Sequence, residues 1–424
     1  MTLIEDARAG RIEGRIASLA ASEDFPPEKL ARLIALGRVV APCSDKNAER
    51  ERRLACIGEH MGIKVNANVG TSKSASSLAE EVEKAKVAER YGAHTVMDLS
   101  TGGDVQAVRR AILREVHIPV GTVPVYEPFI ERHPAEVDAD EFLSAVERHI
   151  DDGVDFLTIH AGITKESLVH IERSERVLGI VSRGGSLTAW WIAETGEENP
   201  YYSQFDYVLE MCKQEDVTIS LGDALRPGCL ADASDRGKFS EFIILGELVR
   251  RARKAGVQVM VEGPGHVPLD EIELSVKGMK HLCDGAPLYL LGPVTTDVAP
   301  GYDHITSAIG AAVAGMYGAD FICMCTAAEH LALPSADDIK EGTIVTRIAA
   351  HVADIVRLRE RARAWDDDMA RARARLDWAR QFELAMDPEK AVQIHSRSRD
   401  SDVCSMCGEL CAVKTWKKYM DERR

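Results

Sequence analysis

From Ile63 onward, short runs of apolar and β-branched residues alternate with amphipathic stretches of about 10–20 residues, a rhythm that predicts a parallel sheet with crossover helices. The predicted strands are Ile63–Val69, His94–Leu99, Ile118–Val123, Asp155–His160, Leu178–Ser182, Val217–Leu221, Val257–Val261, Leu288–Gly292 and Asp320–Cys325. A run such as Val257-Gln258-Val259-Met260-Val261 suits a strand covered on both faces. These strands predict an α/β fold, a closed (β/α)8 barrel or an open doubly wound sheet. Nine candidates are one too many for the barrel, so one is expected to be an extension or a hairpin arm. No G-x-G-x-x-G follows any of them, so the dinucleotide fingerprint of the open sheet is missing.

The flanks read as helical. Residues 1–58 form a small helical lead-in, where Pro26-Pro27-Glu28 opens an amphipathic run through Leu30, Leu33, Ile34 and Leu36. Helices are expected over Val345–Arg363 and Asp367–Ala385. A third starts at Asp387-Pro388-Glu389, with Asp as cap and Pro at the first position. The expected organisation is thus a lead-in (1–58), a barrel (59–343), a helical domain (344–395) and a flexible tail (396–424).

Charge narrows the function classes. Lys+Arg 52 against Asp+Glu 68 leaves a net charge of −16 without any long basic run, which argues against nucleic acid or an anionic membrane as partner. No apolar stretch approaches the about 18 residues of a membrane span, and Met1-Thr2-Leu3-Ile4-Glu5-Asp6 lacks the character of a signal peptide. The 10 cysteines are scattered except for the last three, as in a reduced, cytoplasmic chain.

Those last three, Cys404, Cys407 and Cys411, follow the polar segment Ser396–Val403. A stretch this polar has no core in which to bury thiols, so the grouping points to a metal. A closed zinc site wants a fourth ligand, and the nearest spare one is His395, across the linker. An iron–sulfur cluster on three cysteines keeps one iron open, and redox thiols are the third reading. Eight linker residues reach at most about 26–29 Å.

Polar groups recur at the ends of the predicted strands, where a barrel gathers its catalytic residues. Asn66 and Asn68, Met97 and Asp98, Tyr126, His160, and Ser182-Arg183-Gly184-Gly185 come first. Asp223-Ala224-Leu225-Arg226, Glu262, His266, Tyr289, Glu329 and His330 follow. A polar residue after each successive apolar run predicts one shared site. Ser182-Arg183-Gly184-Gly185 suits a phosphate, or simply a glycine turn that opens a helix. Asp223 and Arg226 either bind a polar ring or pair with each other. His266 and His330 are the candidate imidazole metal ligands, and Trp190-Trp191 read as helix packing.

Long phrases of the chain resemble the thiamin pyrimidine synthase (ThiC) family of radical S-adenosylmethionine enzymes. They are Lys64-Val65-Asn66-Ala67-Asn68, Val96-Met97-Asp98-Leu99-Ser100-Thr101-Gly102-Gly103-Asp104, Gly121-Thr122-Val123-Pro124, Glu262-Gly263-Pro264-Gly265-His266-Val267-Pro268, Pro300-Gly301-Tyr302-Asp303-His304-Ile305-Thr306 and Cys404-Ser405-Met406-Cys407-Gly408. The resemblance spans nearly all of residues 60–412. It implies a barrel enzyme acting on 5-aminoimidazole ribotide. Substrate contacts would be Asn68, Met97, Tyr126, His160, Ser182, Arg183, Gly184, Asp223, Ala224, Leu225, Arg226, Glu262 and Tyr289, with Glu262 also placed in the catalysis. It further implies a [4Fe-4S] cluster on Cys404, Cys407 and Cys411, S-adenosylmethionine, and zinc or iron on His266 and His330. The implied partners are a flavodoxin- or ferredoxin-type electron donor and a second copy of the chain, whose tail covers the site.

The family holds phosphomethylpyrimidine synthases and 5-hydroxybenzimidazole synthases. The chain departs from the pyrimidine pattern at Met324-Cys325, Ala224, Glu127 and Gly58–Lys64. Those departures favour 5-hydroxybenzimidazole as product, with phosphomethylpyrimidine as the alternative. A zinc-stabilised, non-catalytic ribotide-binding protein is the reading from another class.

Overall fold

Eight of the nine predicted strands form, and they close on one another. The computed structural model describes residues 1–48, 50–73, 77–397 and 403–423. Strands Val39–Val40 (β1) and Ile57–Gly58 (β2) make a small antiparallel pair that the hydrophobic pattern did not signal. Lys64–Val69 (β3), Thr95–Asp98 (β4), Val120–Thr122 (β5), Phe156–Ile159 (β6), Thr218–Leu221 (β7), Val259–Gly263 (β8), Leu288–Leu291 (β9) and Phe321–Cys323 (β10) follow. All neighbours in this ring are parallel, and β10 pairs with β3 to complete the barrel. The open sheet is thereby excluded. Val65, Val96, Val120, Leu157, Ile219, Val259, Leu290 and Ile322 are fully buried, as strands between a barrel core and a helical shell require.

The surplus strand is Leu178–Ser182. Residues 176–182 form a loop, because side chains satisfy its backbone where a sheet neighbour would otherwise do so. Asp232 accepts the Val177 and Leu178 N–H groups at 2.8 and 3.1 Å. Arg176 donates to the Gly179 carbonyl at 2.9 Å and pairs with Asp235 at 2.6 Å. Val177 and Leu178 are left 69% and 52% exposed, so an apolar pattern here did not mean burial.

Helices Leu3–Arg8, Arg15–Ser22 and Pro27–Ala35 form the lead-in, with their own core of Leu3, Ile4, Ile16, Leu19, Leu30 and Ile34. Carboxylates at the N-terminal ends of barrel strands anchor the segment. Asp155, just before β6, takes both Arg52 Nη groups at 2.6 and 2.7 Å and the N–H groups of Ser44 and Val120. Asp216, before β7, takes Arg15 at 2.7 Å and the Leu3 N–H at 2.8 Å. The lead-in is therefore bound to the end of the barrel opposite the strand C-termini. Both partners of the Arg52–Asp155 pair are buried, at 2% and 0% side-chain exposure. Asp155→Ala strands the guanidinium, and we expect a loss of about 3–5 kcal/mol in urea unfolding. A loss under about 1 kcal/mol would show that the pair does not anchor the lead-in.

The helix expected over Val345–Arg363 runs instead from Ala336 to Leu358. It starts earlier because Ser335 and Asp338 bond reciprocally around its first turn, and it stops where Arg359 takes a positive φ of 52°. The helix expected over Asp367–Ala385 is two, Glu360–Arg375 and Trp378–Leu384, broken at left-handed Leu376 and recapped by Asp377. Pro388–His395 begins as expected, with Asp387 accepting from the Lys390 N–H.

The chain divides into two compact units, Met1–Arg357 and Leu358–Arg424. In the second, the His395 ring packs on Trp378 at 4.1 Å and on Phe382 at 5.4 Å, so the imidazole sits in an aromatic cluster of its own helices. The middle of the expected linker, residues 398–402, lies outside the described residues. Among the described residues no helix is long and apolar enough to cross a membrane.

Candidate active site

The C-terminal ends of the barrel strands surround a cavity that opens to solvent. Asn68, Met97, Tyr126, His160, Asp223, Arg226, Glu262 and Tyr289 line it, so eight residues singled out from separate segments meet in one place. Alternation along a strand brings in Asn68, Met97, Glu262 and Tyr289, since every second side chain points inward, while Tyr126, His160, Asp223 and Arg226 come from the segments that follow β5, β6 and β7.

Glu262 is the most chemically loaded of them. Thr158 and Ser220 each donate a hydroxyl to its Oε1 at 2.7 Å, and Oε2 takes no hydrogen bond from the described residues. Burial, reinforced by Asp223, pushes the carboxyl up to about 7, against the two hydroxyls and Arg226. Asp223 binds Arg226 Nη1 at 2.9 Å, and burial raises it to about 6 despite that partner. Two carboxyls in one cavity therefore exchange protons close to neutral pH.

His160 is neutral: burial, then Arg226, depresses it to about 3, and its Nδ1 has no partner among the described residues. The helix Arg183–Thr195 is capped by Ser182, whose Oγ accepts the Gly185 N–H at 3.2 Å. Gly184 and Gly185 are small for a packing reason. A Cβ on Gly184 would fall 2.3 Å from the His160 ring, and one on Gly185 would fall 2.4 Å from the Ala224 carbonyl oxygen. Both readings of Ser182-Arg183-Gly184-Gly185 thus share one element: it opens a helix, and a helix start attracts anions.

Not every expected residue lines this cavity. Arg183 stands outside it, with its guanidinium 5.0 Å over the Tyr126 ring and Nη1 on the Leu99 carbonyl at 3.2 Å. It borders two adjoining clefts, one with Phe129 and Ile130, the other with Glu329 and His330. Ser182 and Gly184 are buried beneath the helix start. Ala224 and Leu225 point away, into a satellite cluster with Ile163. Trp191 is buried and donates to the Val137 carbonyl at 2.8 Å, in keeping with packing, while Trp190 is half-exposed.

His266 and His330 come together, with ring centroids 5.2 Å apart. The His266 Nδ1 is buried with no partner among the described residues, and burial followed by His330 lowers its pKa. Asp303 Oδ1 lies 3.1 Å from His330 Nδ1, the carboxylate support that metal-binding imidazoles commonly have. The pair fits a divalent cation whose other ligands come from substrate or solvent. Cys404 and Cys411 are half-buried and Cys407 is exposed, all three free thiols. Among the described residues no three His, Cys, Asp or Glu side chains are gathered closely enough to hold a metal. The donor chemistry of three thiols within eight residues nevertheless suits a cluster with one open iron.

Reading the sequence missed Thr158, Ser220, Leu99, Val123, Leu291 and Cys323. Thr158 and Ser220 lie two positions before His160 and Gly222, so period-two alternation was the available signal. Cys323 receives the Asn68 amide at 3.0 Å, and burial pushes its thiol up to about 12.

The Radical SAM ThiC family matches residues 2–418. Phosphomethylpyrimidine synthase 1 of Methanosarcina mazei is 55% identical over 428 residues, covering 100% of this chain and 99% of that protein. Phosphomethylpyrimidine synthase of Archaeoglobus fulgidus is 55% identical, covering 99% and 100%, and that of Desulforamulus reducens is 50% identical, covering 99% and 98%. With the motifs, the closed barrel and full-length identity in agreement, the chain belongs to the radical SAM ThiC family and is a radical S-adenosylmethionine enzyme.

Proposed function

We propose that this chain is a phosphomethylpyrimidine synthase, rearranging 5-aminoimidazole ribotide to the pyrimidine of thiamin. The observation that carries the reading is full-length identity to proteins of that name. The preference for 5-hydroxybenzimidazole rested on four departures, and the geometry weakens it. Glu127 turns to Arg109, Arg148 and His149 and does not line the cavity. Ala224 faces the satellite cluster, Cys325 is fully buried, and Gly58 sits in β2. Met324 alone reaches a cleft wall. Reverting Glu127→Gln and Ala224→Gly together should leave the product unchanged by mass spectrometry. A switch of product would restore these positions as determinants.

The barrel residues divide the work. Asp223 and Arg226 present fixed donors and acceptors to a polar ring, and the start of Arg183–Thr195, with Arg183, suits the phosphate. Neutral His160 serves as a hydrogen-bonding group, and Glu262 takes or returns a proton. The thiolates of Cys404, Cys407 and Cys411 would hold a [4Fe-4S] cluster, which with S-adenosylmethionine would supply the radical that starts the reaction. A divalent metal on His266 and His330, a homodimer with tail exchange, a low-potential flavodoxin- or ferredoxin-type donor and a cytoplasmic setting complete the proposal.

The test is product analysis after anaerobic reconstitution with the ribotide, S-adenosylmethionine and a strong reductant. A phosphorylated hydroxymethylpyrimidine is expected. 5-Hydroxybenzimidazole with free phosphate would overturn the reading. Colourless protein holding one zinc on the tail cysteines would favour the binding-protein alternative.

A further inference from the structure

Beneath the Asp223–Arg226 turn lies a carboxyl that the chemistry above does not use. Glu241, on the helix Arg236–Ala255, is fully buried. Its Oε2 accepts the Leu225 N–H at 2.9 Å, and the Ala224 N–H also faces the carboxyl. Oε1 is buried with no partner among the described residues and abuts Gly162, where a Cβ would stand 3.0 Å from it. The side chain thus fills the gap between the loop after β6, which carries His160, and the loop after β7, which carries Asp223 and Arg226. From the other side, Arg176 Nη2 donates to the Leu225 carbonyl at 2.6 Å. Both polar groups of the Leu225 backbone are thereby engaged by buried side chains.

We infer that Glu241 is a positioning residue: by holding the Leu225 N–H it fixes the turn that aims the Asp223–Arg226 pair into the cavity. An acid residue with an unpartnered oxygen is an odd choice for a purely structural brace, unless it is neutral. Its surroundings favour that form, since burial, with Asp223 nearby, raises its pKa well above the carboxylate range. Oε2 then acts as a carbonyl acceptor and the proton stays on Oε1, so no uncompensated charge is buried. Two consequences separate this role from simple core filling. A glutamine, of the same shape and with an equivalent acceptor, should replace Glu241. An aspartate, which withdraws the acceptor by one methylene, should not.

The inference rests on the ribotide being the ligand of Asp223 and Arg226, so the experiment carries one readout that does not. In the reconstituted holoenzyme, Glu241→Asp and Glu241→Leu are expected to raise KM for the ribotide about tenfold, with kcat within about twofold. Glu241→Gln should stay within about twofold of the parent in both. Without any ligand, hydrogen exchange at the 222–226 amides should quicken in the Asp and Leu variants and not in Gln, while β6 and β8 stay protected. Infrared difference spectra of parent minus Gln variant should show the carbonyl stretch of a protonated carboxylic acid. Wild-type exchange and KM in Glu241→Asp would overturn the inference, as would a loss in kcat alone. If the parent binds no ribotide, the functional reading fails and the exchange data decide the inference. If Glu241→Leu does not fold, Asp and Gln decide it.

Discussion

Glu262→Gln is expected to lower kcat by about 10²–10⁴-fold, the usual worth of a positioned proton-transfer group. The amide keeps the shape and can still accept from Thr158 and Ser220, so KM for the ribotide should change little. The same substitution should stabilise the protein at neutral pH, and the sign follows from burial. The folded carboxyl sits at about 7 against an ordinary 4.5, so the folded state binds its proton more tightly than the unfolded chain does. Stability is therefore lost as pH rises from about 4.5 through about 7, by up to about 3 kcal/mol. Asp223, raised to about 6, titrates in the same window and shares the two steps. Denaturant melts of parent and variant should coincide near pH 4.5, and the variant should be the more stable at pH 8. A variant no more stable at pH 8 would mean that Glu262 is not held as argued, and unchanged kcat would remove it from the chemistry.

Replacement of one tail cysteine has the largest expected effect. Cys407→Ser leaves two thiols where three are needed. After anaerobic reconstitution, iron and sulfide should fall to the level of an unreconstituted sample and product should drop below detection. Cys407 is exposed, and among the described residues its carbonyl accepts only the Leu410 N–H of its own short turn, so the thermal unfolding of the barrel should not move. Cys229→Ser, at a half-buried cysteine in the barrel unit, is the control that should keep full iron and activity. A Cys407→Ser protein with undiminished iron would place the cluster elsewhere.

Much of this was legible in local pattern. Alternating apolar runs located all eight barrel strands, because a strand covered on both faces is apolar at most of its positions. Asp387-Pro388 marked a helix start, because its caps act within one turn. The false strand at Leu178–Ser182 shows the limit. Its apolar residues lie at the surface, because Asp232, more than fifty residues away, takes two of its N–H groups and Arg176, held by Asp235, takes the Gly179 carbonyl.

The long-range features escaped for the same reason. Glu127 and Ala224 looked like site substitutions from their neighbours in sequence. They face a cationic network and an apolar cluster instead, because adjacent residues on a turn point in different directions. The acid–base character of Glu262, Asp223 and His160 comes from desolvation inside the closed barrel. By itself, then, the sequence determined the barrel's strands, the family and the residue types from which the site is built. Only the tertiary structure decided which of them share a cavity and which of those titrate near neutrality, because burial and partnership belong to the folded chain and have no local signature.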